Sequence, residues 1–420
     1  MRVELAYGRH GTAVEVPDHA EVILPVDAPA LPDETWAVRD ALARPVAGPP
    51  LRDLVGGGFS GRVAVVFPDL TRPMPTRTVL PPLLEELARA GVPDGRIVLL
   101  CATGTHRRAT AAEMRDLVGS EVVARYRIVD HDADGDDHVE VGKVDGVGVR
   151  LQRDYVEADV RIVTGFVEPH FFAGFSGGPK AVCPGLASTE TILEAHHPRR
   201  IADPRATFCT RHGNPVHDFV RAATALAPPL LSVDVAINRD RRVTSVFVGP
   251  LPAAHDAACA HVAAAAVREV GAPFDLVVST NGGHPLDRNL YQAVKGMAAA
   301  DRILREGGTV VMAAACEDGV PAGGAFARLL AEARAPSDLV GARAGPELDR
   351  WQAQVLGRVL GRAEVLLHSD GLDEQDVRAA QLVPVNDLNA AVGDALGRLG
   401  PSPRVAVLPE GPLTVATVRA

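Results

Sequence analysis

Three short polar clusters each follow a run of apolar residues. Asp69-Leu70-Thr71-Arg72-Pro73 follows RVAVVF, Thr103-Gly104-Thr105-His106-Arg107 follows RIVLLCA, and Glu168-Pro169-His170 follows VRIVTG. The imidazoles of His106 and His170 can exchange protons near neutral pH. Arg72 can hold a carboxylate. Taken singly, each cluster has a plainer explanation, because Asp-x-Thr and Thr-Gly-Thr also cap helices and shape turns. Three in succession point to a site, since open parallel sheets bind ligands beyond the carboxyl ends of their strands.

The third cluster runs on into FFAGFSGGPKAVCPG. Ser176, Gly177 and Gly178 offer backbone N–H groups that could cradle a phosphate. Lys180 follows at once, but GxxxxGK[ST] spacing is absent, so this is no Walker loop. Beside His170 and two aromatics, Lys180 reads as a covalent or nucleotide-binding lysine. Sixteen residues further on is His196, with His197 next to it. Tandem histidines on a helix face different ways, so at most one serves a given site. Later, Asn281-Gly282-Gly283-His284 follows FDLVVS and leads to Leu290-Tyr291-Gln292-Ala293-Val294-Lys295. Tyr291 and Lys295 share a helix face, with Gln292 beside them. A lysine and a hydroxyl on one face can grip a carboxylate, or the tyrosine can simply pack on the lysine stem.

The elements that must position these groups alternate. The first residues, with a break at Gly8 to Gly11, form a hairpin pattern. Strands are expected at 62–67, 96–102 and 160–165, with helices at 78–90 and 110–118. Continuous apolar strands alternating with helices imply a parallel sheet covered on both faces. The stretch 127–150 reads as a hairpin insert with an acidic turn near Asp132 to Asp137, which lacks the glycine and glutamate of a calcium loop. An Ala-rich helix is expected at 253–270. A second α/β series follows, with strands at 274–279, 309–313 and 364–368, helices at 287–304 and 386–398, and two final strands around a Pro-Glu-Gly turn. The fold class is therefore α/β, with two domains and mainly parallel sheets. The expected division is 1–252, a connector at 253–272, 273–400, and a strand pair at 401–420 that could return to the first domain.

Composition narrows the functional classes. A chain of 420 residues is too long for one ordinary core. Its formal charge of −10, with no clustered basic face, argues against nucleic acid. No apolar run reaches the roughly 18 residues of a membrane span, and the first residues lack a signal-peptide core. Five scattered cysteines suit a reducing cytoplasm, the expected location.

In order and spacing, DLTRP, GTHR, EPHFFAGFSGGPK, the later His196 and LYQAVK resemble the lactate racemase family, across most of the chain. The resemblance implies two α/β domains with the active site in the interdomain cleft. It implies a nickel-pincer nucleotide, a pyridinium mononucleotide with two sulfur substituents, made by separate cofactor-biosynthesis enzymes and tethered to Lys180. His196 would be the protein ligand to nickel, and His106 and His170 the catalytic bases. Arg72, Tyr291, Gln292 and Lys295 would bind the substrate, a small 2-hydroxy acid. Asp69, Thr71, Thr103, Gly104, Ser176, Gly177 and Gly178 would line the cofactor. The chemistry suits such a substrate. Removing its α-proton is opposed by the neighbouring carboxylate, whereas moving a hydride to an electrophilic ring and back avoids a carbanion.

Three other readings compete. A metal hydrolase could use Cys209, His212, His217 and His196. Two lobes around a cleft also describe a non-catalytic carboxylate-binding protein. An NAD-dependent dehydrogenase is disfavoured because no GxGxxG follows a first strand.

Overall fold

A computed structural model describes residues 1–56, 58–341 and 345–419. The strands in chain order begin with β1 (Arg2–Leu5), β2 (Thr12–Glu15) and β3 (Glu21–Val22). Next come β4 (Val63–Pro68), β5 (Ile97–Ala102), β6 (Arg127–Asp130), β7 (His138–Val144), β8 (Val147–Gln152) and β9 (Val160–Phe166). After the short pair β10 (Pro169–His170) and β11 (Gly174–Phe175) follow β12 (Leu231–Ile237), β13 (Val243–Gly249), β14 (Val267–Val270) and β15 (Phe274–Thr280). The last are β16 (Leu304–Ala313), β17 (Ala363–His368), β18 (Val383–Pro384), β19 (Val405–Leu408) and β20 (Val415–Val418). The chain forms two compact units, each drawn from more than one segment.

One unit comprises Asp27–Ala195 and Cys209–Ala265. Its sheet runs β13-β12-β9-β4-β5-β6, parallel except for the antiparallel pair β12–β13. Alternate residues of β4 point to opposite faces, so Val63, Val65 and Phe67 enter one apolar core while Ala64 and Val66 enter another. That double burial explains the continuous apolar runs. The chain passes from β4 to β5 on one side and later sets β9 on the other. The order therefore reverses at β4/β9, where the crevice of a doubly wound sheet opens. The insert is the expected hairpin β7–β8, and Asp132 and Asp134 lie in its approach turn.

The other unit comprises Met1–Val26, His196–Phe208 and Ala266–Ala420. Its sheet, β18-β17-β16-β15-β19-β3, is parallel throughout. The hairpin β1–β2 packs Val3, Leu5 and Val14 into the core of this unit. Two expectations need correction here. The first residues and 196–208 belong with the C-terminal residues, not with a continuous 1–252 domain. The strand pair of 401–420 does not return to the first sheet either: β19 lies between β15 and β3, and β20 pairs with β14. Periodicity identifies a strand but not its sheet, because every parallel neighbour offers the same ladder of donors and acceptors. A third correction concerns the Ala-rich helix, which spans Leu251–Ala266. β-Branched Val267 and Val270 then continue as strand β14, so the 253–272 connector is part helix and part sheet. No helix among the described residues is long and apolar enough to cross a membrane.

Candidate active site

Asp69 lies one residue beyond β4 and is 3% exposed. Its carboxylate accepts from the Thr71 hydroxyl at 2.9 Å and lies 3.1 Å from Nδ1 of His106. Burial raises the Asp69 carboxyl, but the hydrogen bond and charge of His106, the charge of Arg72 and the Thr71 bond together leave it lowered. An ionised carboxylate can only accept, so the His106 hydrogen sits on Nδ1. That leaves the Nε2 lone pair of a partly exposed ring as a base. Asp69 and Thr71, expected at the cofactor, are thus placed on His106.

The loop that carries His106 is held along its length. His106 N–H donates to Thr103 O at 3.1 Å, and Gly104 N–H to Gly185 O at 3.0 Å. The Gly185 N–H in turn donates to Lys180 O at 3.1 Å. Thr103 is 1% exposed and gives its hydroxyl to Asp130. Expected at the cofactor, Thr103 instead fixes the loop.

His170 closes the two-residue pair β10–β11, opposite Gly174. Its Nδ1 accepts from Ala173 N–H at 3.2 Å, which puts the hydrogen of the neutral ring on Nε2. The two histidines are therefore not interchangeable: one presents a lone pair, the other an N–H. The His170 and Phe172 rings meet edge-on at 4.5 Å, and the Lys180 ammonium sits 5.8 Å from the Phe172 centroid. The structure thus gathers Asp69, His106, His170 and Lys180 along the carboxyl ends of β4, β5 and β9.

The turn carrying Lys180 rests on a buried polar layer that sequence reading missed. Asp234, fully buried on β12, accepts from Gly178 N–H at 3.0 Å and Ser232 Oγ at 2.7 Å. Burial raises its carboxyl, against the lowering influence of His255, Ser232 and Gly178. His255 Nε2 donates to Ser176 O at 2.9 Å, and Thr224 Oγ1 to Pro179 O at 3.1 Å. Ser176 Oγ donates to Phe166 O and accepts from Glu168 N–H. Of the expected phosphate cradle at Ser176, Gly177 and Gly178, the Gly178 N–H and the Ser176 hydroxyl are spent inside the protein. The glycines are needed for close approach. Gly178 has φ +49°, and a Cβ there would collide with the His255 ring. One signal was legible, a lone aspartate inside the apolar strand LSVDVAI.

In the other unit, His196 packs its ring on Trp351, centroids 4.7 Å apart. Trp351 is 8% exposed and donates from Nε1 to the Tyr291 hydroxyl at 2.8 Å. Tyr291, Gln292 and Lys295 open the helix Leu290–Asp301, capped by Asn289, and all three are partly buried. His196 and Tyr291 thus share one indole, which no sequence motif flagged. The neighbouring His197 is committed elsewhere: its Nδ1 accepts from Arg199 N–H at 3.2 Å, capping Pro198–Ile201. The hydrolase set of Cys209, His212, His217 and His196 does not assemble. Among the described residues no group of three or more His, Cys, Asp or Glu is placed to hold a metal.

Comparison with known proteins gives the same family. Residues 7–208 match the model of the lactate racemase N-terminal domain, and residues 270–416 that of the C-terminal domain. The chain is 33% identical to a lactate racemase of Thermoanaerobacterium thermosaccharolyticum over 420 residues, covering 97% of each. It is 34% identical to a lactate racemase of Lactiplantibacillus plantarum over 389 residues, covering 90% of each. Among solved structures, the lactate racemase apoprotein of T. thermosaccharolyticum matches with a TM-score of 0.93 and 32% identity over 100% of both chains. A Thermotoga maritima protein shares the fold at a TM-score of 0.69 and 18% identity, over 94% of this chain and 100% of its own. The chain belongs to the lactate racemase family and is an isomerase.

Proposed function

We propose that the protein racemises lactate or a similarly small 2-hydroxy acid, with a nickel-pincer nucleotide tethered to Lys180 and His196 as the protein's ligand to nickel. The observation that carries this reading is the buried Asp69 carboxylate on Nδ1 of His106, on a loop bonded to the Lys180 turn. When bound, the cofactor supplies an electrophilic ring that takes a hydride from the substrate and returns it.

The residues present fit such a group. Lys180 offers a primary amine on a turn held by Asp234, His255 and Thr224. His196 offers one imidazole, oriented by Trp351. Nickel with soft sulfur donors from the nucleotide needs no cluster of protein ligands.

The chain's own residues handle charge and protons. His106 takes the hydroxyl proton of one enantiomer on Nε2, and the imidazolium that forms is stabilised by Asp69. To serve the other enantiomer as a base, His170 must release the Ala173 N–H from Nδ1 and turn that lone pair to the substrate. Arg72 and Lys295 bind the carboxylate, with Tyr291 and Gln292 as hydrogen-bonding partners.

Intact-mass spectrometry tests the assignment. Protein co-produced with cofactor-biosynthesis enzymes should carry an added mass and nickel and should racemise L-lactate. Lys180→Ala should carry neither. An adduct that survives Lys180→Ala, or loaded protein without racemase activity on lactate and its short homologues, overturns the reading.

A further inference from the structure

Asp130 has no counterpart among the residues assigned a role above. It is the last residue of β6, directly opposite Cys101 in the parallel ladder β5–β6. From there its two oxygens reach in different directions. Oδ1 accepts from the Thr103 hydroxyl, and Oδ2 accepts from Ala109 N–H at 2.6 Å. Thr103 opens the loop that leaves β5, and Ala109 closes it, just before Thr110 caps the helix Ala111–Val118. One carboxylate therefore ties both ends of the segment with His106 at its middle.

The other ties act elsewhere: the backbone bonds of Gly104 and His106 hold the first half of the loop, and none of them joins its two ends. Arg107 turns outward to form a two-point ion pair with Glu113 at 2.9 and 2.5 Å. Arg108 faces Asp132 at 3.9 Å. The Asp69 bond fixes the ring of His106 but not the backbone beneath it. A side chain meets its partner at 3.1 Å only if its Cα is held, and a hydrogen bond weakens steeply as that geometry opens.

We infer that Asp130 is a positioning residue of the racemase site, closing the His106 loop so that Nδ1 stays on Asp69 and Nε2 faces the substrate. This rests on the reading of His106 as a proton-transfer residue. The apoprotein tests it without cofactor. Long-range 1H–15N correlation on histidine-labelled protein reads the His106 tautomer, assigned by loss of its signals in His106→Gln. Wild type is expected to hold the hydrogen on Nδ1. Asp130→Ala should lose that preference. Asp130→Asn should keep it, because the amide oxygen can accept from Ala109 N–H while its NH2 meets the Thr103 oxygen. Arg127→Ala, which breaks the β6 ion pair to Asp154 at 2.8 Å, should leave the tautomer unchanged.

In loaded enzyme, Asp130→Ala should lower kcat about 10–100-fold, the usual size of an orienting partner's contribution. KM and the mass at Lys180 should change little, and Asp130→Asn should recover most of the rate. A wild-type tautomer and kcat in Asp130→Ala would refute the role, and so would an equal defect in Arg127→Ala. Should Asp130→Ala not fold, Asp130→Glu keeps the charge but lengthens the reach, and it should show the same loss of tautomer and rate. A wild-type His106 with its hydrogen on Nε2 would instead sink the reading of His106 as the base, a different failure.

Discussion

His106 and His170 look equivalent as letters in a sequence, and the geometry separates them. One is backed by a buried carboxylate, the other receives a backbone N–H from Ala173. Asp69→Asn should keep the loop in place but remove the charge that stabilises the imidazolium. Its kcat is expected to fall about 10²–10⁴-fold while the Lys180 adduct persists, a pattern that mass spectrometry and polarimetry together resolve. Replacing either histidine by alanine should cost turnover by a similar factor and retain cofactor. Single-turnover bleaching of the loaded variants by L- and D-lactate should then show opposite preferences. Equal bleaching by both enantiomers in both variants would remove the face-specific roles. Residue types and spacing were enough to mark Asp69, His106, His170 and Lys180. They could not show that Thr103 and Ser176 spend their hydroxyls on Asp130 and Phe166. Partners that arrive from distant strands leave no local trace.

At the scale of elements, two supports carry reactive groups that they never replace. The Lys180 turn rests on Asp234, His255 and Thr224, and Gly178→Ala would drive a methyl into the His255 ring at a positive φ. A destabilisation of about 2–4 kcal/mol is expected from overpacking plus left-handed strain, measurable by urea unfolding, with a lower yield of Lys180 adduct. In the other unit Trp351 supports His196 and Tyr291 at once. Trp351→Phe should keep the ring contact and lose only the bond to Tyr291, with a small effect on nickel content. Trp351→Ala should cost about 3–5 kcal/mol as a large buried ring is deleted, and should weaken nickel retention about 10–100-fold. Nickel content equal to wild type in Trp351→Ala would show that His196 stands without it. The strands and helices were legible because buried parallel strands are continuously apolar and their helices amphipathic. The end of the Ala-rich helix at Ala266 was not, since Arg268 and Glu269 suit a helix as well as a strand while β20 decides where the strand begins.

Across the whole molecule, buried histidines set the acid limit of stability. Burial pushes His131 down to about 4, against the raising effect of its bond to Ala187 O. Burial first, then the charge of His255, pushes His217 down to about 3. Both rings are held neutral in the fold, below the ordinary 6.5 of the unfolded chain. Their contribution is complete above about pH 6.5 and is lost as pH falls from there through 4 and then 3. For His131, which is 2% exposed, the loss is about 3 kcal/mol. The Asp69 carboxyl, lowered in the fold, adds to the same trend only below its unfolded value near 4. Thermal midpoints should fall steeply between pH 6 and 4, and His131→Asn should flatten that slope; an unchanged slope would remove His131 as a cause. What composition and pattern could not reveal at this scale was the path of the chain. The His106 and Lys180 unit has all its strands once residue 265 is made. The His196 unit waits for β19 to receive β3 and for β20 to receive β14. A ribosome therefore releases the finished Lys180 unit while the His196 unit still lacks β14 to β20, so order of synthesis alone completes the fold around the lysine ahead of the fold around the histidine.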